Sequence, residues 1–196
     1  MNLFRSLRSV VLVSAAMALP YTVQAQTSTW KIDPVHSGVT FEILHLGVSH
    51  VHGSFSHPTG VIHLDDKDIT HSTVEATIDT TTVTTNEPKR DEHLKSPEFF
   101  NVAKYPTMTF KSTAITKANG KLQMTGDLTL AGVTKPVTLD VDGPAPPQKG
   151  MQGGVVSGFS ATGVLHRTDF NFGGKYGPPL VGNDVKFTID IEMDKQ

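Results

Sequence analysis

The sequence predicts an antiparallel, mostly β single domain. Two features predict it: apolar residues recur at every second position in run after run, and turn residues punctuate those runs. The first clear run is Val39-Thr40-Phe41-Glu42-Ile43, with Val39, Phe41 and Ile43 on one face. Thr73 to Asp79 follows, placing Val74, Ala76 and Ile78 together. Lys121 to Thr125, Asp127 to Leu130 and Val137 to Asp142 continue the alternation, and Val185 to Met193 is the longest case. One apolar and one polar face per strand is the pattern of antiparallel sheets with a single buried side. Asp65-Asp66, Asn119-Gly120, Ala131-Gly132 and Gly182-Asn183 read as turns between runs, and Asn-Gly is the strongest two-residue hairpin signal. Pro144 to Gly154 reads as a long flexible loop. About eight strands result. Alternation alone leaves a two-sheet sandwich and a closed barrel equally open.

One stretch departs from the alternation. Pro88 to Phe100 carries Lys89, Arg90, Asp91, Glu92, His93 and Leu94, then Ser96-Pro97-Glu98-Phe99-Phe100. Asn86 is placed to cap a short helix, and Ser96 followed by Pro97 reads as a second helix start. The segment is expected to cross a barrel end or lie along its side.

The N-terminus reads as an export signal. Arg5 and Arg8 precede an apolar run from Val10 to Leu19, and Val23-Gln24-Ala25 supplies small residues one and three before the bond to Gln26. The apolar run is far short of the ~20 residues of a spanning helix, so a stable membrane anchor is not expected. Residues 1–25 are thus assigned to a cleaved signal peptide and 26–196 to one exported domain. Cleavage removes two of the 17 Lys and Arg and none of the 19 Asp and Glu, taking the net charge from −2 to about −4. That balance argues against nucleic acid as a partner. The absence of cysteine excludes disulfides, thiolate catalysis and thiolate metal ligands.

Ile32-Asp33-Pro34-Val35-His36-Ser37, with Phe41 and His45-Leu46-Gly47, resembles the opening of the YceI family of periplasmic polyisoprenoid-binding proteins. The likeness continues through Gly53-Ser54-Phe55 and Gly60-Val61-Ile62, then Arg90 to Leu94, Phe99 to Val102 and Tyr105-Pro106. It resumes at Gly126 to Leu130, Gly132 to Val137 and Arg167-Thr168-Asp169-Phe170. Phe170 is followed here by Asn171-Phe172-Gly173-Gly174, where the family's motif often runs directly into Phe-Gly. The resemblance implies a lipocalin-like, eight-stranded antiparallel β-barrel with a short helical insert and a long hydrophobic pore. It implies a polyisoprenoid or quinone-type lipid as ligand, with no other cofactor and no enzymatic activity. The sequence leaves monomer and homodimer both open.

With that fold, the inward-facing apolar positions expected to line the pore are Phe41, Ile43, Phe55, Ile62, Phe99, Phe100, Phe110, Phe159 and Phe187. His45, Arg90, His93 and Arg167 are the candidate polar contacts to a lipid head group, since arginine offers a forked pair of donors. A different reading rests on the nine histidines: His50 and His52 share a strand face, with His57, His63 and His71 nearby. Imidazoles suit Zn, Cu or Ni, which makes a periplasmic metal-binding or redox-accessory protein the alternative. The spacing matches no metal motif. Gly158-Phe159-Ser160-Ala161-Thr162 lacks the last glycine of a nucleophile elbow, and Gly173-Gly174-Lys175 lacks the first glycine of a phosphate loop.

Overall fold

The computed structural model describes residues 27–196 apart from 119 and 152. The signal peptide expected over 1–25, and Asn119 of the predicted hairpin turn, lie outside the described residues. The elements in chain order are β1 (Thr27–Ile32), β2 (Gly38–His45), β3 (Ser49–Ser56), β4 (Thr59–Asp65), β5 (Thr73–Asp79), α1 (Pro88–Lys95), β6 (Thr107–Ala118), β7 (Lys121–Leu130), β8 (Val133–Asp142), β9 (Gln148–Lys149), β10 (Val155–His166) and β11 (Val181–Lys195). Neighbouring strands are antiparallel, and the pairing of β10 with β11 closes the sheet into a barrel.

The wall of that barrel is eight strands wide. β1 and β2 both lie along β11, one at each end of it, so they are two halves of one broken strand. β4 and β3 pair with them in the same order and form a second broken strand. β9 is a two-residue piece on the edge of β10. Both breaks have local causes. Asp33 Oδ1 accepts the backbone N–H groups of Val35 at 2.7 Å and His36 at 3.3 Å, which turns the chain before β2. Between β3 and β4, His57 takes a left-handed φ of 57° and Pro58 has no N–H to donate to a ladder.

Several expectations are corrected. Gly182-Asn183 lies inside β11 rather than in a turn, where the register against β2 shifts between Val181 and Val185. The cap of α1 is Glu87, whose carboxylate accepts the Lys89 N–H at 3.4 Å; Asn86 stands one residue too early, at φ 60°. No second helix starts at Ser96. Its carbonyl accepts the N–H groups of both Phe99 and Asn101, so the chain turns there and carries the phenylalanines onto the barrel.

The two halves of the barrel are filled differently. Trp30, Ile32, Ile62, Val74, Met124, Ile191 and Met193 pack the half around β1 and β4 as a solid core. The half around β2 and β3 is not filled from its own walls. There β5 stops at Asp79, and the excursion to Pro106 takes its place beside β3, joined by the Ser54–Thr84 bridge.

Candidate functional site: an apolar cavity under an aromatic cap

Alternation at period two builds the cavity directly. Val39, Phe41 and Ile43 from β2, Val51 and Phe55 from β3, and Met108 and Phe110 from β6 point inward. So do Leu128 and Leu130 from β7, Val137 and Leu139 from β8, and Val185, Phe187 and Ile189 from β11. They enclose about 420 Å³. That lies within the ~300–1,000 Å³ range of small-molecule sites. Of the nine expected wall residues, Phe41, Ile43, Phe55, Phe99, Phe100, Phe110 and Phe187 line it. Ile62 and Phe159 do not: they border a small void of about 40 Å³ in the packed half, because β4 and the first half of β10 belong to that end.

The cap comes from the excursion between β5 and β6 and from the loop between β10 and β11. Phe100 is buried, edge-on to Phe55 with centroids 5.4 Å apart and 4.6 Å from Phe172. Phe99 stacks on Tyr176 at 5.4 Å and 10° between planes, and His93 meets both rings edge-on. Beside this stack, Glu98 accepts hydrogen bonds from His93 Nε2 at 2.9 Å, from the Tyr176 hydroxyl at 2.7 Å and from Lys175 Nζ. These donors, His93 foremost, hold the Glu98 carboxyl at a pKa of about 2, well below its usual 4.5. The same contacts raise the Lys175 and Tyr176 pKa values. Glu98, Lys175 and Tyr176 carried no signal in the sequence. Their partnership joins residues 77 and 78 positions apart, and no local pattern announces that.

The four polar candidates take different roles. Arg167 is 1 % exposed and meets neither a carboxylate nor the open lumen with a free donor. Nε donates to the Gly182 carbonyl, Nη1 to those of Phe172 and Gly173, and Nη2 to those of Tyr176 and Val181. All five guanidinium donors are used, so Arg167 shapes the rim rather than holding a head group. Burial lowers its pKa, in keeping with a cation that meets only neutral carbonyls. His93 is engaged by Glu98. Arg90 spends Nε and one Nη2 donor on Thr85 and keeps the rest of its fork at the cavity edge. His45 also lines the cavity, at the end of β2.

The histidines of the alternative reading do not converge. His52 lies 3.9 Å from Glu42, His63 meets Thr29, and His71 stands at 4.0 Å from both Asp65 and Asp68. Among the described residues, the group of potential metal ligands that does come together is Asp33, His36 and Glu192. There the Asp33 carboxylate both closes the turn before β2 and accepts the His36 Nδ1 hydrogen at 2.7 Å.

A YceI-like domain model matches residues 30–193. The chain is 41 % identical over 178 residues to Protein YceI of Escherichia coli O157:H7, covering 88 % of this chain and 90 % of that one. The crystal structure of the Campylobacter jejuni YCEI protein superposes with a TM-score of 0.69 at 34 % identity, over 78 % of this chain and 89 % of that one. A polyisoprenoid binding domain from Saccharophagus degradans, implicated in plant cell wall breakdown, shares the fold with a TM-score of 0.61 at 12 % identity, over 85 % of this chain and 98 % of that one.

Proposed function

The chain belongs to the YceI-like family, and from that premise and the form of its lumen we propose that it is a periplasmic carrier that sequesters a long-chain polyisoprenoid or quinone-type lipid. The observation that carries this reading is the cavity itself: an almost wholly aliphatic and aromatic lumen, left open by the barrel's own side chains and roofed by Phe99, Phe100, Phe172 and Tyr176. Such a lumen has no use for a polar substrate. Each buried CH₂ is worth roughly 0.8 kcal/mol, so one five-carbon isoprene unit gains on the order of 4 kcal/mol on leaving water. A bilayer offers the same gain, so exchange between membrane and barrel is close to neutral. That suits reversible carriage better than tight scavenging. The export signal read over residues 1–25 supports the compartment, and the ligand named for the Saccharophagus domain supports the lipid class. We assign the head-group contact to Arg90 and His45, which both line the cavity and carry polar nitrogen atoms.

Native mass spectrometry of the mature protein, followed by solvent extraction, tests this. A bound mass that extracts as a polyisoprenoid or quinone is the expected result. A bare protein that takes up no added isoprenoid overturns it.

A further inference from the structure

The rim of the cavity exposes apolar side chains where a soluble protein ordinarily places polar ones. The turn between β2 and β3 is Leu46-Gly47-Val48; Leu46 is 51 % exposed and Val48 81 %. Leu46 N–H donates to the Leu180 carbonyl at 3.0 Å, which brings the β2–β3 turn against the loop that precedes β11. Leu180 and Leu44 are exposed too, and both also line the cavity. The outer lip and the lumen are therefore one continuous apolar surface. Scattered exposed leucines need no explanation, but a contiguous group at a cavity mouth does.

Two further observations bear on what covers it. Leu46 sits at a left-handed φ of 54°, a backbone state that suits Asn or Gly and penalises leucine. Neither the polypeptide geometry nor solubility calls for leucine there. In a chain of net negative charge, residues 44–52 and 171–182, which form the lip, contain no aspartate or glutamate, and Lys175 among them is paired with Glu98 of the cap. The lip's own segments thus add no carboxylate that would repel an anionic surface, and a long apolar guest dissolved in a membrane has no route to the lumen through water.

We propose that the Leu44–Leu46–Val48–Leu180 lip docks on the surface of a lipid bilayer, so that the cavity fills directly from the membrane. This rests on the lipid-carrier reading above. The lip enters the headgroup boundary as an interfacial anchor does, without spanning the membrane.

Leu46→Asn with Val48→Ser tests it, because neither residue lines the cavity and Asn suits the backbone at position 46. The readout is uptake of geranylgeraniol, a C20 isoprenoid alcohol. It is delivered either from phosphatidylethanolamine–phosphatidylglycerol vesicles or from detergent solution. From vesicles, uptake by the variant is expected to slow by about tenfold or more, as loss of two interfacial apolar anchors implies. From detergent, both proteins are expected to fill equally. Equal vesicle rates overturn the docking lip while leaving the carrier reading intact. A wild-type dimer that the variant loses, with vesicle rates unchanged, assigns the lip to a second copy and equally overturns bilayer docking. Failure of both proteins to fill from detergent overturns the carrier reading, and the lip with it.

Discussion

Phe41 lies directly over Gly53, its cross-strand partner: a β-carbon on Gly53 would stand 2.2 Å from Phe41 Cζ. The same device recurs at Phe187 over Gly163 and, two pairs along the ladder, at Phe110 over Gly126, where the β-carbon would meet Cζ at 2.6 Å and 2.3 Å. In each case a large ring is laid against the wall because the residue beneath it has no side chain. Rings standing upright would fill the lumen; rings lying flat keep it open.

That arrangement separates ligand capacity from stability. In Gly53→Ala the Phe41 ring has an empty lumen to swing into, so the change in unfolding free energy stays within about 1 kcal/mol while lipid uptake falls. Gly60→Ala is the contrasting case. Its β-carbon would meet the Glu75 backbone carbonyl at 2.2 Å, and a strand cannot step aside as a ring can. We expect Gly60→Ala to cost about 2–3 kcal/mol. Urea denaturation and lipid uptake, measured on both variants, check the pair. Equal loss of stability in the two would mean that Phe41 is not free to move.

Arg167 gathers the carbonyls of Phe172, Gly173, Tyr176, Val181 and Gly182 around one guanidinium. Removing it strands several buried acceptors at once. Arg167→Ala is expected to cost roughly 3–5 kcal/mol, and Arg167→Lys, which keeps the charge but loses the fork, more than half of that. The loop from Phe172 to Gly182 should become the first site of proteolysis. Since no donor remains for a ligand, surviving protein should lose charged and uncharged isoprenoids to the same degree. Selective loss of a phosphorylated lipid would show instead that Arg167 contacts a head group.

The strands were legible because their physics is local. Thr73–Asp79 is bounded in the structure as the alternation bounds it, and the wall residues of β2 and β11 follow from period two alone. Ile62 and Phe159 show where that ends. They alternate as correctly as Phe41 does, but which half of a barrel is packed and which is open depends on where β1 and β4 stop, and no strand carries that in its own sequence. Arg167 stood out as a forked donor for a lipid head group, whereas backbone carbonyls of a loop 5 to 15 residues on take up that fork. The polar latch of Glu98 was invisible because two of its three side-chain partners, Lys175 and Tyr176, belong to the far loop.

The Glu98 latch has a defined pH window. Its carboxyl pKa falls from 4.5 to about 2 on folding, so the folded state binds the proton more weakly than the unfolded one. The stabilisation is complete above pH 4.5 and is lost as pH falls through about 2. Thermal midpoints of the wild type and Glu98→Gln should differ by a constant amount from pH 8 to 5, and the gap should close between pH 4.5 and 2. A gap that stayed open down to pH 2 would mean that the charged Glu98 carboxylate is not what holds the latch.

Trp30 is the chain's single tryptophan and stands outside the cavity. It is 1 % exposed in the packed half, and its Nε1 donates to Ser28 Oγ at 2.9 Å. Ser28 Oγ in turn donates to Asp66 at 3.0 Å. Trp30→Ala should therefore cost about 3–5 kcal/mol, by cavity formation where no relaxation is available. The intrinsic fluorescence of the wild type should report a dry, rigid site and stay almost unchanged as lipid fills the lumen. Phe187→Trp in a Trp30→Phe background moves the reporter onto the cavity wall, and there loading should shift both emission maximum and intensity. A strong response from Trp30 itself at one lipid per protein would mean that the tail reaches past Ile191 and Met193. The packed half would then open to admit it.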